Sequence, residues 1–117
     1  MTLEYSRWEE DVRHWADLYV RDSVRADTGP WSGVVIESVT LDGKPGESVV
    51  AFEFRSPGPD GARYGYRFST ADRSDPDFHR HWTATEWAQV AVVNLREEVE
   101  ASDAGLPPPS EQLVWLN

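Results

Sequence analysis

The chain has 117 residues, enough for one domain over 1–117 that buries about two-thirds of the surface its unfolded chain exposes. Hydrophobic residues make up 39% and aromatic residues 12%, with six Trp, a composition that excludes global disorder. Twenty-one acidic residues against eleven basic ones give a net charge of −10, which repels phosphate backbones and anionic membrane surfaces, so neither nucleic acid nor membrane is expected as a partner.

The first predicted element is an amphipathic helix over residues 2–25, because Trp8, Val12, Trp15 and Tyr19 recur at i, i+4, i+7 and i+11. Ser6 followed by Glu9 has the spacing of a capping box and is a candidate start, while Thr28-Gly29-Pro30 ends the helix. Residues 31–69 are rich in Val, Phe and Tyr and are punctuated by turn sequences at 42–46 and 56–61, which predicts a three-stranded antiparallel meander. In the second strand Val50, Phe52 and Phe54 alternate with Ala51, Glu53 and Arg55. In the third, Tyr64, Tyr66 and Phe68 alternate with Arg63, Gly65, Arg67 and Ser69. A period of two turns one aromatic face toward the helices and one polar face outward. The first strand, 34–41, alternates poorly, with Val34, Ile36, Ser38 and Thr40 set against Val35, Glu37, Val39 and Leu41. Its register is ambiguous or it carries a bulge.

Residues 70–82 hold Asp72, Asp75, Asp77, His79 and His81 with no apolar period and read as an acidic surface loop. Thr83 and Glu86 form a second capping-box pattern, opening a helix over 84–102 that stops before Gly105. Trp87, Ala88, Ala91, Val92, Leu95 and Val99 give that helix a wide apolar face. The tail, 105–117, begins with a stiff Leu106-Pro107-Pro108-Pro109 spacer, and its Leu113-Val114-Trp115-Leu116 run is apolar enough to need burial as a fourth edge strand or a clasp. The order αβββα plus a short C-terminal strand predicts an α+β two-layer sandwich, a three- to four-stranded antiparallel sheet with both helices packed on one face.

Chemistry is sparse. With no cysteine, thiol nucleophiles, thiolate metal sites and iron–sulfur clusters are excluded, and a reducing, cytoplasmic location is expected. The acidic opening residues do not read as a secretory signal, and no apolar run approaches the roughly 20 residues of a membrane span. Ten of the eleven basic residues are Arg, and Ala, Gly and Pro are common, which suggests a GC-rich bacterial coding sequence. No nucleophile-elbow or phosphate-loop pattern occurs, and the adjacent Glu97 and Glu98 do not converge on one atom of a substrate. His14 reads as a surface histidine. The one metal-like grouping, Asp72, Asp75, Asp77, His79 and His81, has no matching ligand pair elsewhere, so no cofactor is expected.

Charge is unevenly placed: residues 55–81 hold five Arg, whereas 82–117 hold six acids and only Arg96. If Arg55 pairs with Arg63, then Glu53 faces Gly65 and lies diagonal to Arg63 and Arg67, which predicts an Arg/Glu lattice on the outer sheet face. Trp31, Trp82 and Trp115 sit at element ends or in the tail, where an indole packs at the edge of the core or, half exposed, is a candidate contact for a partner or a second copy. The expected function is a small acidic cytosolic protein-binding module, an adaptor or inhibitor of a toxin-neutralising or phage-encoded kind. Arg55, Arg63, Arg67, Trp31, Trp82 and Trp115 are its candidate contacts with another protein. The alternatives are a small metal-dependent enzyme with its site near His79 and His81, and a homo-oligomeric structural component assembled through the C-terminal segment.

Overall fold

A computed structural model describes residues 3–26, 30–44, 48–55, 63–71, 77–101 and 113–115. Helix α1 (Leu3–Ala26) is followed by a 3₁₀ turn (Pro30–Gly33), strands β1 (Val35–Asp42), β2 (Val49–Arg55) and β3 (Arg63–Ser69), a second 3₁₀ turn (Phe78–Arg80), helix α2 (Ala84–Ala101) and strand β4 (Leu113–Trp115). The strands form one antiparallel sheet in the order β1-β2-β3-β4, an α+β fold with the expected sequence of elements. The apolar tail segment supplies a fourth edge strand, Leu113 pairing with Tyr66 and Trp115 with Tyr64.

Alternation decides which side of the sheet the helices cover. Val50, Phe52, Phe54, Tyr64, Tyr66 and Phe68 are all buried, in one cluster with Val12, Ala16 and Val20 of α1 and Ala88, Ala91, Val92 and Leu95 of α2. Burying each large apolar side chain contributes about 1.5–3 kcal/mol, so this face holds most of the driving force for folding. The line of α1 that sits deepest runs through Val12, Ala16 and Val20, with Trp8, Trp15 and Tyr19 partly buried beside it.

The poor alternation of β1 has a physical cause. Ile36 pairs with Phe54 but Ser38 pairs with Glu53, so Glu37 is an extra residue and the strand is bulged there. One inserted residue reverses the parity of the rest of the strand. Val34, Ile36, Val39 and Leu41 join the core, and Asp42 comes to the same outer face as Glu37 although five positions separate them. Gly43, at φ 97°, then turns the chain in a conformation open to glycine.

Two local expectations are corrected. Helix α1 begins at Leu3, and Glu9 does not cap Ser6: it is 1% exposed, where its Oε2 accepts hydrogen bonds from Ser48 Oγ and from Thr70 Oγ1 at 2.8 Å. The Thr70 N–H donates to the Ser48 carbonyl at 3.1 Å, and one carboxylate from α1 joins the residue before β2 to the residue after β3. Trp31 is wholly buried, its indole N–H donating to Ser23 Oγ at 2.9 Å. The chain folds the 3₁₀ turn back over the helix layer there, so Trp31 is a core residue and presents no half-exposed ring to a partner. At α2 the capping box forms as expected: Thr83 Oγ1 accepts from the Glu86 N–H at 3.2 Å, and Glu86 Oε1 accepts from the Thr83 N–H at 3.3 Å.

Candidate protein-contact face

Both helices pack against the aromatic side of the sheet, and no described element covers the other side. Its charges follow from the register. Arg55 pairs with Arg63, Glu53 with Gly65 and Ala51 with Arg67, so Arg55, Glu53, Arg63 and Arg67 all point outward beside Glu37 and Asp42 of β1. Two outward positions of the central strands are small: Ala51 and Gly65 leave a low floor over which the long side chains lie flat.

The guanidinium groups are held in a lattice. Arg63 Nε reaches Glu37 Oε1 at 2.9 Å and Arg55 Nε reaches Glu37 Oε2 at 3.0 Å, so each oxygen of one carboxylate takes one arginine. Arg63 Nη2 also contacts Glu53 Oε1 at 3.3 Å, and the other oxygen of Glu53 accepts from Ser38 Oγ at 3.3 Å. Arg67 Nη1 meets Asp42 Oδ2 at 3.3 Å. Arg63–Glu37 and Arg67–Asp42 each cross over β2 to join its two neighbouring strands. The hydrogen bond from Arg63, and then the charge and hydrogen bond of Arg55, hold the Glu37 carboxyl below the usual glutamate range against partial desolvation. The same contact with Glu37 raises the pKa of Arg63. With three arginines and three carboxylates the six groups cancel, so the face is locally neutral on a chain of net charge −10.

The sequence places Arg55, Arg63, Arg67 and Glu53 on this face, and the structure brings them together there. It misses Glu37, Ser38 and Asp42, because the bulge hides their shared side. The remaining candidates lie elsewhere. Trp82 is 39% exposed, before α2, its ring edge-on to Trp87 at 5.3 Å and its carbonyl accepting the Trp8 indole N–H at 3.0 Å. Trp115 lies in β4, and its side chain is outside the described residues. His79 is partly buried, edge-on to Trp8 with ring centres 6.1 Å apart, and His81 is exposed. Asp77 is exposed, while Asp72 and Asp75 lie outside the described residues. Among the described residues no three His, Cys, Asp or Glu side chains gather where they could hold a metal ion.

Inside the sheet, Tyr66 is wholly buried and its hydroxyl has no hydrogen-bond partner among the described residues. Burial, followed by the negative charges of Glu98 and Glu97, pushes its pKa up to about 12. No described helix is long and apolar enough to cross a membrane. In comparison with known proteins, the chain matches no family model, no curated protein and no solved structure.

Proposed function

We propose that this protein is a small acidic protein-binding module, an adaptor or inhibitor, that engages its partner through the outer face of the sheet. The observation that supports the reading is the uncovered lattice built on Glu37, Arg55, Arg63, Glu53, Arg67 and Asp42. Arginine forks already ordered by carboxylates lose less side-chain freedom on binding, and a fixed pattern of charge selects a partner with the matching pattern. Arg55 and Arg67 keep about half of their side-chain surface exposed, at 46% and 50%, so both are available for contact.

Trp82 is a second anchor of the same module. Its carbonyl is tied to Trp8, the capping box starts at the next residue, and its ring leans on Trp87, which leaves a rigid, part-exposed indole of the kind enriched at interface hot spots. A cysteine-free chain is compatible with a bacterial cytoplasm, where a toxin-neutralising or phage-encoded inhibitor would act.

The test is capture from source-cell lysate at moderate salt, with wild-type protein and the Arg63→Glu/Arg67→Glu variant as parallel baits. A stoichiometric partner held by the wild type and lost from the variant is the expected result. Equal capture by both baits removes the sheet face from the interface.

A further inference from the structure

We propose that a second copy of this chain fits the outer face of the sheet, the two copies meeting face to face about a two-fold axis that runs along β2. The proposal rests on the reading of this face as the contact site, and it names the partner. The charges are sorted by strand: on the outer face β1 carries only carboxylates, Glu37 and Asp42, and β3 carries only guanidiniums, Arg63 and Arg67. The strand between them carries one of each, Glu53 and Arg55.

A two-fold rotation about an axis parallel to β2 lays the acidic β1 of each copy over the basic β3 of the other. Such an interface is isologous, every contact occurring twice. Glu37 of one copy then comes within side-chain reach of Arg63 of the other, and Asp42 diagonal to Arg67, while on the axis Arg55 and Glu53 face their own counterparts and meet the opposite charge only diagonally along β2. Both long ion pairs that now bridge β2 within one chain, Arg63–Glu37 and Arg67–Asp42, can be exchanged for pairs between chains. The same rotation keeps the strands of the two sheets running in the same direction, the aligned arrangement in which sheets stack face to face. Ala51 and Gly65 are small where the faces meet along the centre.

Neutrality matters as much as pattern. Two copies of net charge −10 repel, but the apposed faces sum to zero, and at 0.15 M salt charges more than about 8 Å apart are screened while contact pairs persist. Three strands about 4.8 Å apart are apposed, with β4 outside the overlap, a narrow face at the low end of interface sizes, so weak association is expected.

Sedimentation equilibrium of the full chain at 0.15 M salt, from about 10 µM to 1 mM, tests this, the range following from the small interface. The wild type is expected to move from monomer mass toward twice that mass. Two charge-reversed variants, Arg63→Glu/Arg67→Glu and Glu37→Arg/Asp42→Arg, are each expected to stay monomeric. Their equimolar mixture is expected to associate, because an all-acidic pair of strands then meets an all-basic pair. Thr40→Arg, at an exposed outward position of β1, keeps the lattice and is expected to weaken association at least tenfold, which serves if a double variant does not fold. A wild type that remains monomeric throughout, or reversed variants that associate like the wild type, overturns the two-fold. If that monomer still captures a different protein through Arg63 and Arg67, only the second-copy proposal has failed and sheet-face binding stands.

Discussion

The inner and outer faces of the sheet are made from alternate residues of the same strands, yet they respond to different physics. Phe52, Phe54, Tyr64 and Tyr66 lie on the inner face in offset or tilted ring contacts, with Phe54 and Tyr64 stacked at 5.7 Å, and helices exclude water from them. Glu53, Arg55, Arg63 and Arg67, their immediate neighbours in sequence, stay partly exposed and pair across the face, Arg63 with Glu53, Arg55 with Glu37 and Arg67 with Asp42. Burial makes the inner face the source of stability. Exposure makes the outer face a poor source of stability. If the outer face binds as proposed, stability and binding are separable in this molecule, one residue apart along each strand.

The sharpest way to break that separation is to truncate an inner residue. Phe52→Ala leaves a cavity under both helices and should cost about 3–5 kcal/mol of unfolding free energy, read by urea denaturation, with binding lost only as the fold is lost. Next comes the Tyr66 hydroxyl. Its folded pKa of about 12 lies above the ordinary tyrosine value of 10.0, so the unfolded state gives up its proton first. The stability linked to Tyr66 is thus intact below pH 10 and declines as pH rises toward 12, by up to roughly 3 kcal/mol. Tyr66→Phe should remove that alkaline slope and cost little at neutral pH, since no described hydrogen bond is lost. Equal slopes in the two proteins would show that Tyr66 does not titrate as buried.

A smaller effect is expected at the polar tie between helix and sheet. Glu9→Ala strips Ser48 and Thr70 of their shared acceptor and should cost about 1–3 kcal/mol, with faster amide exchange at the start of β2 and the end of β3. Smallest of all in stability is the outer lattice: Arg63→Glu/Arg67→Glu should leave the thermal midpoint nearly unchanged while abolishing contact through this face. Because its pKa is lowered, the Glu37 carboxylate that orders Arg55 and Arg63 keeps its charge below the ordinary glutamate range, so association should persist there and weaken only as pH falls through that lowered pKa.

How much of this was legible in the sequence obeys the same division. Strict alternation in β2 and β3 made the inner aromatic face, the outer arginines and the Arg55–Arg63 pairing readable, and the Thr83–Glu86 spacing marked the start of α2. Glu37 and Asp42 were not readable as partners on one face, because a single bulged residue changes parity without leaving a signature in composition. Glu9 looked like a capping residue because capping is decided locally and burial is not. Its real partners, Ser48 and Thr70, are 39 and 61 positions away. Trp31 looked like an exposed end-of-element residue for the same reason: only the return of the chain over α1 encloses it.

The most direct measurement is a backbone amide NMR comparison of the isotope-labelled chain at dilute and concentrated conditions in 0.15 M salt. If the outer face is the contact surface, concentration-dependent shifts should cluster at Glu37, Thr40, Ala51, Glu53, Gly65 and Arg67, leave the outer sides of α1 and α2 unmoved, and vanish in Arg63→Glu/Arg67→Glu. Shifts confined to the helices or to the region of Trp82, or none at any concentration, would contradict contact between copies through this face.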